Sequence, residues 1–129
     1  MSKELLEAVD AIDSLQESLS RVSGMVKSIE NTLERQNRFK LEFKYHACAI
    51  EGVFIEWRRL YDSKKKRCRL FLKVVEKDVD RPFCELPVEL RLEYVKYLGP
   101  FLIAFRKFAK AKAIEVKKVI ETMEDEWGF

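Results

Sequence analysis

The sequence has little of the residue types that mark specialised folds, with 3 cysteines, 3 prolines and 4 glycines among 129 residues. So few glycines and prolines exclude a collagen-like or loop-dominated chain. An odd and sparse set of cysteines is unlike the even, dense framework of small disulfide-bonded secreted domains. We therefore expect free thiols and an intracellular protein, either cytoplasmic or nuclear.

Long apolar runs are also missing. The longest nearly apolar run, residues 97–105, is about half of the ~20 residues that a membrane-spanning helix needs. The first 30 residues contain 6 acidic side chains and lack the apolar block of a secretory signal. We predict no transmembrane segment and no secretory signal.

The chemistry of catalysis and of metal binding is poorly represented. The single histidine, His46, has no recognisable serine or cysteine nucleophile grouped with it, and there is no glycine-rich loop for phosphates. His46, Cys48, Cys68 and Cys84 lack the Cys-x2-Cys spacing of zinc sites. We predict a non-catalytic protein with no metal site and no cofactor.

Charge and apolar residues are abundant, at 36% and 47% of the chain. The apolar fraction is too high for a disordered chain, and the charged fraction is typical of long solvated helix faces. A mass of 15.3 kDa fits one compact unit. The sequence thus predicts an ordered, helix-rich protein.

The N-terminal segment carries an unbroken heptad pattern. Apolar residues recur in alternating steps of three and four between Leu5 and Leu33, which places them on one stripe of a helix. We predict that residues 1–37 form a coiled-coil helix that joins two chains as a homodimer, while packing of this helix inside its own domain is the alternative. The predicted interface consists of Leu5, Ile12, Leu15, Leu19, Val22, Val26, Ile29 and Leu33.

From Phe39 the apolar period changes to two, which is typical of strands. Three runs, at 39–49, 53–61 and 68–74, predict a three-stranded antiparallel meander. The first turn, residues 50–52, would hold Gly52 in the left-handed conformation. The second turn would be formed by residues 63–66. With those turns, the cross-strand pairs are Ala49 with Val53, Tyr45 with Trp57, Tyr61 with Cys68, and Trp57 with Leu72.

An all-α helical bundle is the rival interpretation of the same region. Phe43, Ala47, Ile50 and Phe54 also continue the heptad spacing of the N-terminal helix. This interpretation leaves Lys40 in a seam position, whereas the strand pattern leaves only Arg59 out of place on its inner face. We therefore favour strands.

The remaining chain predicts helices. A connector at residues 77–86 precedes Pro87, which suits the first turn of a short helix. A long amphipathic helix follows, from Pro100 to Glu126. The predicted fold is α+β, with residues 38–129 forming a small head that includes this long C-terminal helix.

Basic residues are concentrated in the middle of the chain, where residues 38–77 carry 12 basic and 5 acidic side chains. This basic surface predicts an adaptor, regulator or inhibitor that binds an acidic protein partner. Sequence-nonspecific nucleic-acid binding is the alternative, although the pattern assigns Phe39, Phe43, Tyr45, Trp57 and Tyr61 to the core and so leaves no aromatic platform. The predicted binding residues are Arg58, Arg59, Lys64, Lys65, Lys66, Arg67, Arg69, Arg106, Lys107 and Lys110.

Overall fold

A computed structural model describes residues 2–37, 40–60 and 67–129 of the chain. A long helix, a four-stranded sheet and a C-terminal helical region follow one another, which confirms the predicted α+β class and shows the all-helical alternative to be wrong. The elements are α1 (Lys3–Gln36), β1 (Phe43–Cys48), β2 (Val53–Arg59), β3 (Cys68–Val74), β4 (Val79–Pro82), a 3-10 turn (Phe83–Glu85), α2 (Val88–Tyr94), a second 3-10 turn (Val95–Tyr97) and α3 (Leu98–Trp127).

The sheet is an antiparallel meander with the order β1-β2-β3-β4. It has four strands, so the prediction of three strands is wrong. The additional strand, β4, lies in the segment that was predicted to be a connector. Its four residues include Asp80, Arg81 and Pro82, and therefore show no apolar alternation. Proline is tolerated there because β4 has no partner strand on its far side.

The strands pair in a register two residues away from the predicted one. Trp57 lies opposite Phe43 and Leu70 instead of Tyr45 and Leu72. An irregularity between His46 and Cys48 adds a residue to β1, and the ladder of the second hairpin extends to a hydrogen bond from Leu60 N to Arg67 O. A shift of two residues keeps the side chains on their predicted faces. Beyond the irregularity, Val53 lies opposite Cys48 instead of Ala49, and Cys48 packs against the core. The predicted turn at residues 63–66 and the partner of Tyr61 lie outside the described residues.

The hydrophobic core lies on one face of the sheet, which we call the inner face. Its side chains are covered by the end of α1, the first 3-10 turn, α2 and the start of α3. From α1, Val26 is fully buried, and Ile29 and Leu33 are partly buried against the same core. The core residues are Val26, Val53, Ile55, Trp57, Cys68, Leu70, Leu72, Val74, Phe83, Leu86, Tyr94, Leu98 and Phe101.

Only the last turns of α1 join this core, whereas every residue from 2 to 18 is exposed. Val26, Ile29 and Leu33 of the predicted intermolecular seam are therefore engaged within their own chain. The prediction of an interface between chains now depends on Leu5 and Ile12, with their neighbours on the seam. The division of the chain at residue 37 stays a prediction.

The ends of α3 follow simple backbone rules. It begins at Leu98, two residues before the predicted start. Pro100 then falls in the first turn, where a helix does not need its missing N–H donor. The α3 helix ends at Trp127, and the following residue, Gly128, adopts the left-handed conformation with φ 70°. Within the described residues, no helix is long and apolar enough to cross a membrane.

Gly52 occupies the first hairpin turn with φ 63°, as predicted, and a Cβ atom there would lie 3.0 Å from the Cβ of Val75. We expect Gly52→Ala to lower the free energy of unfolding by roughly 1–2 kcal/mol, the cost of the left-handed conformation for a residue with a Cβ. Urea denaturation of the purified variant measures this change.

Gly24 provides a matched control, because it lies in α1 and a Cβ there would meet nothing within 4 Å. Gly24→Ala should raise the free energy of unfolding by about 1 kcal/mol, the difference in helix propensity. Equal effects of the two alanines would contradict this account of the turn.

Candidate functional site

Arg58, which was predicted to bind a partner, makes its contacts within its own sheet. Its guanidinium forms an ion pair with Asp80 and lies over the ring of Phe71, 3.7 Å from the centroid. Arg59 donates from its side chain to the carbonyl oxygen of Lys40 at 3.2 Å. Both arginines therefore have a structural role that their sequence positions did not reveal.

The other predicted binding residues fall into three groups. Arg69 is ion-paired with Glu30 and with Glu85. Arg67 is exposed, and so are Arg106, Lys107 and Lys110 on α3. Lys64, Lys65 and Lys66 lie outside the described residues. The described basic residues that remain most available to a partner are therefore those of α3.

Two glutamates of α1 accept hydrogen bonds from backbone N–H groups at the open edge of β3. Strand β4 pairs with residues 71–74 of β3 and leaves the first part of that strand without a neighbour. Glu30 Oε2 accepts the N–H of Leu70 at 3.2 Å, and Glu34 Oε2 accepts the N–H of Cys68 at 3.0 Å. Four residues of helix rise ~6 Å and two residues of strand rise ~6.7 Å, so the two carboxylates match the two donors in spacing.

Glu30 has further partners around the same edge. It is 8% exposed, it accepts from Arg69 Nε at 3.4 Å, and it accepts from the thiol of Cys84 at 2.8 Å. Burial, reinforced by the hydrogen bond and the charge of Glu30, raises the pKa of Cys84 to about 11. Burial, with the charge of Glu34, also raises the pKa of Cys68.

These groups line a cavity of about 210 Å³ between α1 and the sheet. Its carboxylates are occupied by hydrogen bonds, and its two thiols keep their protons at neutral pH, so neither is an activated nucleophile. Over the part of the chain that the structure describes, no group of three or more His, Cys, Asp or Glu residues is arranged to hold a metal ion. The groups around the cavity therefore serve to attach α1 to β3.

Two helical segments, which we call the α1 arm (residues 3–18) and the α3 arm (residues 110–127), extend outside the core. Every residue of both arms is exposed. Large apolar side chains on the α1 arm are between 43% and 53% exposed, and those on the α3 arm are between 40% and 69% exposed. They are Leu5, Leu6, Val9, Ile12 and Leu15 on the α1 arm, and Ile114, Val116, Val119, Ile120, Met123 and Trp127 on the α3 arm.

The arms differ in charge. Residues 3–18 carry five acidic side chains and one basic side chain. On α3, residues 106–118 carry six basic side chains and one acidic side chain, and four acidic side chains follow at 121–126. Each arm therefore combines an exposed apolar stripe with charged flanks. The first half of the α3 arm is basic, opposite in sign to the α1 arm, although the whole α3 arm carries four basic and five acidic side chains.

The second face of the sheet, which we call the outer face, carries aromatic rings that the sequence argument missed. Lys44 lies over the ring of Phe54 at 4.5 Å, and His46 meets the same ring edge-on at 4.4 Å. Both Phe54 and Phe71 occupy the alternate positions of strands whose other positions form the core, and that alternation was the available signal. The outer face consists of Lys44, His46, Phe54, Glu56, Arg58, Phe71 and Lys73.

Comparison of the chain with protein-family models, with curated proteins and with solved structures finds no match.

The raised pKa of Cys84 predicts a loss of stability in alkaline solution. The folded thiol keeps its proton up to pH about 11, whereas an ordinary thiol ionises near 9.0. Between these values the folded state binds more protons than the unfolded state, so the free energy of unfolding falls as pH rises. Cys84→Ser keeps a donor for Glu30 but does not ionise, and should therefore show a smaller decrease.

Urea denaturation at several pH values in this window, under reducing conditions, measures the effect. Cys48→Ser is the control and should keep the decrease of the wild type, because Cys48 lies on β1, away from the cavity. An identical pH dependence for Cys84→Ser and the wild type would contradict the assignment.

Proposed function

We propose that the protein is a non-catalytic interaction protein, an adaptor or regulator that assembles through its helical arms. The α1 arm joins two copies of the chain, and the α3 arm binds an acidic partner protein. The observation that carries the proposal is the pair of apolar stripes that lie outside the core on both arms.

An exposed amphipathic helix has a physical need for a partner. Helices in proteins obtain most of their stability from packing an apolar face, and contiguous exposed apolar surface marks interaction sites. Neither arm obtains this packing from the core of its own chain, since residues 2–18 and 110–129 are all exposed. Binding of another helix along the stripe would supply it.

The α1 arm is suited to a second copy of itself. With Leu5 at position a, its seam contains Leu5, Ile12 and Leu15, while Asp10, Asp13 and other acids fall outside the a and d positions. A parallel pair therefore buries apolar side chains without burying like charges.

The basic first half of the α3 arm is suited to a partner of negative charge. Lys110, Lys112, Lys117 and Lys118 flank the stripe that contains Val116 and Ile120. Basic flanks raise the rate of association with an acidic surface and disfavour basic partners. The apolar stripe then supplies the buried contact area.

The dimer is tested with two matched variants of the α1 arm. Leu15 and Leu6 are 53% and 50% exposed, but only Leu15 lies on the seam. Leu15→Asp should convert a dimer into a monomer in sedimentation velocity, because it places a charge in the buried seam, whereas Leu6→Asp should leave the dimer intact. A wild type that sediments as a monomer at all accessible concentrations would refute this part of the proposal.

The acidic partner is tested with a synthetic amphipathic helix that has a leucine seam and glutamate flanks. Isothermal titration calorimetry should show binding that weakens by about tenfold in the charge-reversal variant Lys107→Glu/Lys110→Glu, since each close charge pair contributes on the order of 1 kcal/mol. The control Lys27→Glu/Lys96→Glu reverses two exposed lysines that lie outside α3. Equal weakening by both pairs would show a nonspecific charge effect and contradict the assignment.

A further inference from the structure

The outer face contains a buried carboxylate with one oxygen that has no hydrogen-bond partner among the described residues. Glu56 is 9% exposed, and its Oε2 is buried without a hydrogen bond to any described residue. Lys44 lies directly opposite Glu56 in the strand register, but its ammonium lies over Phe54. Arg58, two residues further along the same strand, forms its ion pair with Asp80. A buried charged acceptor without a donor is costly, so its presence calls for an explanation.

Glu56 lines a cavity, and a donor without a partner lies beside it. The cavity has a volume of about 270 Å³ and is formed where β1 and β2 run side by side. Arg58 lines the same cavity, and its Nε is buried without a hydrogen-bond partner among the described residues. The cavity therefore presents one unpaired acceptor and one unpaired donor on neighbouring side chains.

The surrounding charges limit the class of ligand. A simple cation would satisfy Glu56 but would meet Lys44 and Arg58, which line the cavity, and Lys73 on the neighbouring strand. A simple anion would satisfy these basic groups but would meet the carboxylates of Glu56 and Glu42, both of which line the cavity. A ligand that fits must offer an N–H donor beside an acceptor, and must carry its negative charge a short distance away. The edge of a nucleobase, attached to its phosphate, has this arrangement.

The aromatic side chains of the same face favour bases over other ligands of mixed charge. The rings of Phe54 and Phe71 are half-buried and already carry cationic or imidazole groups against them, at 4.5 Å for Lys44, 4.4 Å for His46 and 3.7 Å for Arg58. Aromatic rings and guanidinium planes are the surfaces on which unpaired bases stack. Base edges are accessible for such contacts in single strands.

We propose that the outer face of the sheet binds single-stranded nucleic acid and selects cytosine over thymine at the cavity. Glu56 accepts a hydrogen bond from the exocyclic amino group of cytosine, and Arg58 donates to the adjacent ring nitrogen. Neighbouring bases stack on the Phe54 and Phe71 clusters, and Lys44 and Lys73 neutralise phosphates. Thymine presents a carbonyl oxygen in place of the amino group, and Glu56 repels it. This site is separate from both helical arms and does not depend on the proposed assembly.

Fluorescence anisotropy with labelled cytosine and thymine oligonucleotides of equal length tests the proposal. The wild type should bind the cytosine oligonucleotide about tenfold more tightly, the discrimination that one well-placed base contact provides. Glu56→Gln keeps the size of the side chain and should abolish this preference. Glu51→Gln removes an exposed carboxylate in the first hairpin turn and should keep it.

The phosphate contacts are tested separately with Lys44→Gln/Lys73→Gln. This variant should weaken binding of both oligonucleotides by the same factor and reduce the dependence of affinity on salt. Circular dichroism and thermal melting establish that each variant is folded. The cytosine preference of the wild type is a second test, and it requires no substitution at Glu56.

Several outcomes would overturn the proposal. They are the absence of binding to either oligonucleotide at low salt, equal affinity of the wild type for both, and retention of the cytosine preference in folded Glu56→Gln. Binding that is lost in Lys107→Glu/Lys110→Glu but kept in Lys44→Gln/Lys73→Gln would place nucleic acid on α3 instead. The proposal would also be refuted if an acidic peptide bound the outer face while neither oligonucleotide bound the protein.

Discussion

The contact between the Glu30 and Glu34 carboxylates and the open edge of β3 is the constraint on which the arrangement of the molecule depends. Backbone N–H groups at a sheet edge must find an acceptor when they are covered. Two glutamates one helical turn apart provide acceptors with the spacing of alternate strand residues. The helix is thereby aligned along β3, and Val26 is directed into the core beneath the sheet.

This alignment divides α1 into two parts with different roles. The part that follows Val22 is committed to the core of its own chain, whereas residues 2–18 extend beyond it with their apolar stripe exposed. The α3 helix is divided in the same way, because Leu98 and Phe101 are buried while residues 110–127 are exposed. One small core thus supports two helical arms, of which the α1 arm is acidic and the α3 arm is basic in its first half and acidic at its end.

The helices also decide which surface of the sheet is available. Because α1, α2 and α3 all contribute to the core on the inner face, the outer face is stabilised by its own side chains. The Arg58 guanidinium, paired with Asp80 and packed over Phe71, is the clearest example. Some of the basic residues that were predicted to bind a partner therefore make contacts within the sheet, and the basic surface of α3 gains in importance.

Much of the fold was predictable because apolar periodicity depends only on local geometry. The spacing from Leu5 to Leu33 gave the limits of α1, and the change to a period of two near Phe39 gave the first three strands and the left-handed Gly52. Strand β4 was not predictable in this way, because its short, polar sequence carries no alternation. The register was wrong because the bulge near Cys48 leaves no mark on the pattern of the first hairpin, and because a shift of two residues in the second hairpin leaves the alternation unchanged.

The sequence by itself determined which residues are helical, which alternate across a sheet and which are charged, because these properties follow from neighbours along the chain. Only the tertiary structure decided that Val26 packs within its own chain, that Glu30 accepts a hydrogen bond from a strand 40 residues away and that one oxygen of Glu56 is buried without a partner among the described residues. These outcomes depend on which elements meet in space, and residues far apart in the chain leave no periodic signal of their contact.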